Sequence, residues 1–286
     1  MPTDDTERAI TLGANSYGKS GVRLVHVVRD SPRHDLRDLT VHTALAGDLD
    51  ATHYRGDNTG VLPTDSQKHT VYAFAREGIG SIEGFAERLA RHFADTAPAI
   101  RSARVRVEEH PWRRTGEHSF ARGDGGELRT AEAAYGDGAV RFTAGVRDLL
   151  LLNTTGSAFG GFLTDRYTTL PETEDRILAT AVDAAWTYET TGDDAWFDAS
   201  FAAARAALLE AFADTYSLSL QQTLYAVGER ILRAVPETGE VRLSLPNRHH
   251  YLYDLEPFGL DNPGLVFQAG DLPYGLIEGT VRREAP

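Results

Sequence analysis

Asn247 and His249 stand two residues apart at the end of an apolar run, Val241-Arg242-Leu243-Ser244-Leu245-Pro246-Asn247-Arg248-His249. Read as a strand, alternation places Val241, Leu243, Leu245, Asn247, His249 and Tyr251 on one face. An amide and an imidazole then close an otherwise apolar surface. Such a pair either bonds to the neighbouring backbone, as core residues do, or aims at one small volume where a proton is moved.

Arg176 raises the same choice. It shares a face with Leu178, Thr180, Val182 and Trp186. An arginine there either runs out to water or clamps an anion with its fork of N–H groups. Gln221, on alternation a neighbour of Ser219, Thr223 and Tyr225, offers one acceptor and two donors. That suits a heterocycle edge with adjacent N–H and C=O groups, or it is a solvated amide. Phe159 lies among glycines in Thr155-Gly156-Ser157-Ala158-Phe159-Gly160-Gly161. It either stacks on a planar ring or plugs the loop into the core. Thr64 and Asp65 follow Pro63 where a helix is expected to start, with hydroxyl and carboxylate caps to hand. Most such starts are simple N-caps; some bind anions. Lys19, in Tyr17-Gly18-Lys19, precedes the first strand and by default is a solvated cation.

These residues need elements to hold them. Alternation predicts strands over 22–28, 39–49, 104–109, 126–133 and 139–146, then over 177–188, 217–232 and 241–255, and in the tail from Leu265. Helical spacing predicts a helix from Thr64 towards Arg76 and a second carrying Ile82, Phe85, Ala86, Leu89 and Phe93. It also predicts a short helix over 193–198 and a long one carrying Phe201, Ala204, Leu208, Leu209 and Phe212. Residues 116–126, rich in glycine and charge, read as a surface loop. Each half thus runs strand, strand, helix, helix, strand, strand. This is an α+β chain in which an antiparallel sheet covered by helices on one face is used twice. The seam is expected near 147–159, giving units 1–146 and 147–286.

Composition narrows the chemistry. The 286 residues are 41% hydrophobic and 25% charged, as in an ordinary globular chain able to bury a core. A net charge of -13 disfavours nucleic acid and anionic lipid as partners, while leaving room for a small anion beside a local arginine. With no cysteine, disulfides, thiolate metal sites and cysteine nucleophiles are excluded. No basic leader with an apolar stretch opens the sequence, the apolar run 149–152 is too short to span a bilayer, and Arg283-Glu284-Ala285-Pro286 is no peroxisomal address. A cytoplasmic location is expected. No His pair has metal-ligand spacing with a supporting carboxylate, His249 and His250 being adjacent. Gly78-Ile79-Gly80 with Gly84 misses the dinucleotide fingerprint by one residue, and phosphate-loop and nucleophile-elbow signatures are absent. An enzyme reading must then do its chemistry with side chains and substrate alone, with no cofactor and no metal.

Five ordered stretches resemble the urate oxidase (uricase) family. They are YGKSGVR (17–23), GDNTGVLPTDSQKHTVY (56–72), TTGSAFGGFLTDRYTTLPETEDRILAT (154–180), SLSLQQTLY (217–225) and LPNRHHYLYDL (245–255). The resemblance implies a tunnelling fold of two tandem ββααββ units. In it, antiparallel sheets packed by helices form a barrel on oligomerisation, as a homotetramer with active sites at subunit interfaces. It makes Lys19, Thr64 and His249 the catalytic residues and Asp65, Phe159, Leu170, Arg176, Leu220, Gln221 and Asn247 the substrate-binding residues. Thr64 and Asp65 would come from the neighbouring subunit, and Leu220 would act through its backbone N–H. Gly160 and His250 stand where the family more often has aromatics, and Leu220 where it often has valine; none of these removes a functional group. The implied reaction takes urate and O2 to 5-hydroxyisourate and hydrogen peroxide. Two rivals are a metal-bearing or glutamate-bearing enzyme of the same fold, for which no matching cluster is found, and a non-catalytic scaffold, which would not need Lys19, Thr64 and His249.

Overall fold

The structure, a computed structural model, describes residues 10–123, 126–270 and 272–284. The N-terminal residues read above for a leader, and the last two of the tail, lie outside it. The chain opens with a hairpin, β1 (Val22–Val28) and β2 (Asp35–Gly47). The helices α1 (Asp50–Arg55), α2 (Thr64–Glu77) and α3 (Ile82–Thr96) follow. Strand β3 (Ile100–Glu109) leads into a small hairpin of β4 (Trp112–Arg114) and β5 (Phe120–Arg122). Next come β6 (Leu128–Gly136), β7 (Ala139–Asn153) and β8 (Leu178–Tyr188), then α4 (Asp194–Asp214) and α5 (Leu220–Ala234). The chain ends with β9 (Thr238–Pro246), a hairpin of β10 (His249–Leu252) and β11 (Phe267–Gly270), and β12 (Leu276–Arg282).

Eight strands form one antiparallel sheet in the order β1-β2-β3-β6-β7-β8-β9-β12. The sequence pattern explains which face is which. Along β2, Leu39, Val41 and Leu45 are buried at every second position, and Ala103, Val105 and Val107 answer them on β3. Against this face lie Phe85, Leu89 and Phe93 of α3 and Leu208 of α4, all fully buried, with Trp186 and Phe142 of the sheet between them. The other face is polar: Arg106, Glu108, Glu132, Arg147, Asp183 and Arg242 line a concavity of ≈ 670 Å³. A sheet with one apolar and one polar face accounts for the alternation that made its strands legible.

The order ββααββ occurs twice, as β1-β2-α2-α3-β3-β6 and β7-β8-α4-α5-β9-β12, and each unit carries a small hairpin between its third and fourth strands. The position 146/147, where the units were expected to part, lies inside β7, which runs on to Asn153 past a bulge between Val146 and Leu149.

Four element readings need correction. Residues 217–232 are not a strand: Ser219 caps α5 by accepting the Gln222 N–H (3.2 Å), and the buried Leu220, Thr223, Leu224, Val227 and Ile231 recur at helical spacing. Alternation failed because Thr223 is buried while Gln221 and Tyr225, its supposed face-mates, are exposed. The short and long helices expected after residue 193 are one helix, α4, capped by Asp193 on the Trp196 N–H (2.9 Å). Finally, 241–255 is broken after Pro246, so that Asn247 still bridges to Thr180 of β8 while His249 has left for the β10–β11 hairpin. The loop expected over 116–126 contains β5, and its residues 124 and 125 lie outside the described residues.

Candidate active site

Lys19 is held by its backbone. Its N–H donates to the Thr43 hydroxyl (3.0 Å) and its carbonyl accepts the Thr43 N–H (2.8 Å), so the segment before β1 lies along β2. Gly18 permits this: a Cβ there would sit 1.8 Å from the Thr43 carbonyl oxygen. Thr64 and Asp65 open α2, but not with the side-chain caps their types suggested. Pro63 is the N-cap and no side chain caps the helix, which leaves first-turn N–H groups facing outward beside a positive helix end. The Asp65 carboxylate turns aside to Lys68 (2.5 Å) and His69 (3.5 Å). The hydrogen bond from Lys68 holds it below the usual carboxylate range, and the charge of Lys19 contributes to the same shift. The Lys19 segment and α2, which carries Thr64 and Asp65, are joined through the Thr43 hydroxyl, which meets the Lys19 N–H and the Gln67 side chain (2.6 Å).

A second group forms around Arg176, just ahead of β8. The loop before it doubles back on itself through Phe159 and Thr173, whose backbones exchange hydrogen bonds of 2.8 and 3.0 Å. It is fastened to α5 by a parallel bridge of Ser157 with Ser217, whose hydroxyl accepts from Thr223 (2.8 Å). The Phe159 ring is stacked on Phe162 at 5.0 Å, and the Arg176 guanidinium lies 5.1 Å from its centroid. Arg176 Nε donates to the Ser157 hydroxyl at 3.3 Å, and among the described residues no carboxylate pairs with Arg176. Burial works against its charge and lowers its pKa. A partly buried cation with no counter-charge is costly unless an anion joins it.

His249 belongs to this group. Burial, then the charge of Arg176, then His250 push its pKa below the ordinary histidine value, which favours the neutral ring. The ring stacks on Tyr251 at 5.7 Å. Asn247 N–H donates to the Gly275 carbonyl (2.8 Å), fixing the turn that carries it past β8. Leu220 is buried, so only its backbone at the start of α5 faces the group. Gln221, next to it, is exposed, and its amide makes no hydrogen bond among the described residues. Leu170 is 57% exposed on the loop between Phe159 and Arg176.

The sequence-predicted residues thus fall into two clusters. No hydrogen bond or ion pair links Lys19, Thr64 or Asp65 to Phe159, Arg176, Gln221, Asn247 or His249 among the described residues. The first cluster borders β1 and the second β8, β9 and α5, towards opposite ends of the strand order. Four residues escaped the sequence reading: Ser157 and Ser217, which tie the Phe159 loop to α5, and Thr43 and Gln67, behind Lys19. A signal for Gln67 existed, since it is a polar residue at an inward helical position with Val71 and Ala75.

This doubled ββααββ sheet defines a tunnelling-fold protein. A sequence profile of the family described as Uricase matches residues 15–137 and 142–278, and the chain belongs to that family. A uricase of Arthrobacter globiformis is 48% identical over 281 residues, 98% of this chain and 92% of that one. A uricase of Dictyostelium discoideum is 36% identical over 283 residues, 96% and 98% of the two chains. The crystal structure of the Arthrobacter globiformis uricase superposes with a TM-score of 0.93 over 97% of this chain and 96% of that one. A urate oxidase structure from Bacillus sp. TB-90, 26% identical, gives 0.79 over 94% and 100%.

Proposed function

We propose that the protein oxidises urate with O2 and water to 5-hydroxyisourate and hydrogen peroxide, using no metal and no organic cofactor. The observation that carries this reading is the Arg176 guanidinium, partly buried, paired with no carboxylate among the described residues and set over the Phe159 ring. Urate is planar and anionic. Arg176 clamps one edge through two charge-assisted bonds, Phe159 stacks on the ring, the free amide of Gln221 and the N–H of Leu220 meet the neighbouring polar edge, and Leu170 covers the rim. The open first turn of α2, through the Asp65 N–H, takes a further ring acceptor. A site with so many polar demands rejects analogues that leave them unpaired.

Reaction with O2 needs urate stripped of a second proton, because the dianion gives up an electron most readily. The Thr64 hydroxyl takes that proton and passes it to Lys19. Asn247 and His249 border the space where O2 and then water react, and a neutral His249 can accept a proton as water adds. Peroxide carries off the two electrons, and the water oxygen becomes the new hydroxyl.

Both clusters are needed, so two chains share each site. The sheet ends in two unpaired edges, β1 and β12, and large apolar side chains stand in solvent, including Leu163 (95% exposed), Leu265 and Leu252. Such surface seeks a partner. These features support a homotetramer in which sheets join edge to edge into a barrel. We place the division of its two units at the Asp137–Gly138 turn between β6 and β7, and the protein in the cytoplasm; no helix among the described residues is long and apolar enough to cross a membrane.

Loss of urate absorbance with equimolar peroxide release, by purified protein treated with chelator and dialysed, tests the function. Activity that vanishes on chelation and returns with a metal would refute the cofactor-free reading.

A further inference from the structure

Behind Lys19 and Thr64 lies a closed chain of hydrogen bonds that the reaction as described does not use. The Lys19 N–H donates to Thr43 Oγ1 (3.0 Å), and the Thr43 hydroxyl donates to Gln67 Oε1 (2.6 Å). Gln67 Nε2 donates to the Leu62 carbonyl (3.3 Å), and the Leu62 N–H donates to the Tyr17 hydroxyl (2.9 Å). Tyr17 returns to Lys19 through Gly18, and its backbone is bridged to Leu45 of β2. The ring thus joins the Lys19 segment to the residues just before and just after Thr64.

Gln67 is fully buried and Thr43 nearly so. Gln67 stands one turn past Thr64, on the inner side of α2. At such positions an apolar pair of the same shape would pack at least as well, because a buried polar pair is stabilising only when every partner is met. What the polar pair adds is direction: it fixes how far and at what angle the lysine segment lies from the helix start.

We propose that Thr43 and Gln67 are positioning residues for the proton relay, setting the distance between the Lys19 amine and the Thr64 hydroxyl. The inference rests on the reading of Lys19 and Thr64 as that relay. Neither Thr43 nor Gln67 touches urate; both act through the segments they tie together. Proton transfer is steep in distance, and a displacement near 1 Å costs on the order of a hundredfold in rate. Substrate affinity, held largely by the Arg176 cluster, has no such dependence.

The test uses Thr43→Val, which keeps the shape and removes the hydroxyl, Thr43→Ser, which keeps the hydroxyl, and Gln67→Met. Each is made in the parent and in a Lys19→Met background, with Lys19→Met and Thr64→Ala alone as references. Thr43→Val and Gln67→Met are expected to lower kcat on the order of tenfold with KM changed by less than about threefold, and Thr43→Ser to restore most of kcat. In the Lys19→Met background, Thr43→Val is expected to change kcat no further, since residues acting as one unit do not add. The proposal is overturned if folded Thr43→Val and Gln67→Met turn over at the parent rate. It is also overturned if the Thr43→Val penalty multiplies undiminished onto Lys19→Met, as a merely structural defect would. Should Thr43→Val not fold, Gln67→Met carries the same comparison from the other side. If Lys19→Met and Thr64→Ala keep the parent rate, the relay itself falls and the inference with it.

Discussion

Replacing Arg176 by glutamine removes a charge whose only side-chain hydrogen bond among the described residues is a 3.3 Å contact to the Ser157 hydroxyl. Its loss should therefore cost the free protein little. The contact over the Phe159 ring, 5.1 Å from its centroid, is worth about 0.5–1 kcal/mol at a partly exposed site. Relief of the burial penalty on an uncompensated cation offsets that. A net change below about 1 kcal/mol moves Tm by no more than roughly 4 °C in a chain of this size. Binding should respond quite differently. Two charge-assisted hydrogen bonds contribute about 1.5–3 kcal/mol each, and at a half-exposed guanidinium the lower figure applies. About 3 kcal/mol is lost, roughly a hundredfold in affinity. The assay is calorimetric titration with urate under anaerobic conditions, beside thermal unfolding of the same samples. Affinity within about threefold of the parent, in a variant of unchanged Tm, would show that the guanidinium does not hold the anion.

Three further predictions follow from the same geometry. His249 should titrate below the ordinary histidine value, and Arg176→Gln should move it up, because the arginine's charge is the second cause of its depression after burial; the imidazole proton resonance read against pH checks both. Gly18→Ala should lower Tm and displace Lys19, since the new methyl would lie 1.8 Å from the Thr43 carbonyl oxygen, an overpacking of about 1–3 kcal/mol; an unchanged Tm and kcat would contradict the close approach. At Asp38, burial raises the pKa, but Arg23 and the Trp112 N–H (2.8 Å) more than offset this and the net shift is downward. A depressed carboxyl contributes stability above its unfolded pKa and loses it as pH falls through the folded value. Asp38→Asn should therefore cost about 1–2 kcal/mol near neutrality, through the weakened bonds from the Trp112 N–H and from Arg23, whose exposure to solvent limits the loss, and much less in acid; equal losses at both pH values, by thermal unfolding, would contradict it.

The strands were legible because the sheet has one wet face. Leu39 and Val41 alternate with the polar Asp38, Thr40 and His42, and Ala103, Val105 and Val107 of β3 alternate with Ser102, Arg104, Arg106 and Glu108. The helix α5 was not, because the residues leading into it, Ser217-Leu218-Ser219-Leu220, alternate by accident, and only Leu224, Val227 and Ile231 further on reveal the helical period. Pro246 could have warned that the last apolar strand ends there, as proline removes a ladder N–H and favours an edge. The residue types of the site were readable singly, Arg176 and His249 above all. Their grouping was not, since the backbone pairing of Phe159 with Thr173 and of Ser157 with Ser217 that gathers them is long-range and leaves no local periodicity. Gln67 went unnoticed because polar residues on helices are usually solvated, and only its burial marks it.

That each site is assembled from two chains is the claim on which the mechanism stands. Mixing unfolded Thr64→Ala chains with unfolded Arg176→Gln chains and refolding them together tests it. Each parent variant is expected to turn over little urate alone when urate is kept well below the weakened affinity of Arg176→Gln. If Thr64 comes from one chain and Arg176 from another, mixed assemblies contain some sites with both native residues, and urate oxidation should return to a substantial fraction of the native rate. If one chain supplied both residues to each site, no mixture could hold an intact one, and activity no higher than that of the separate variants would contradict the account.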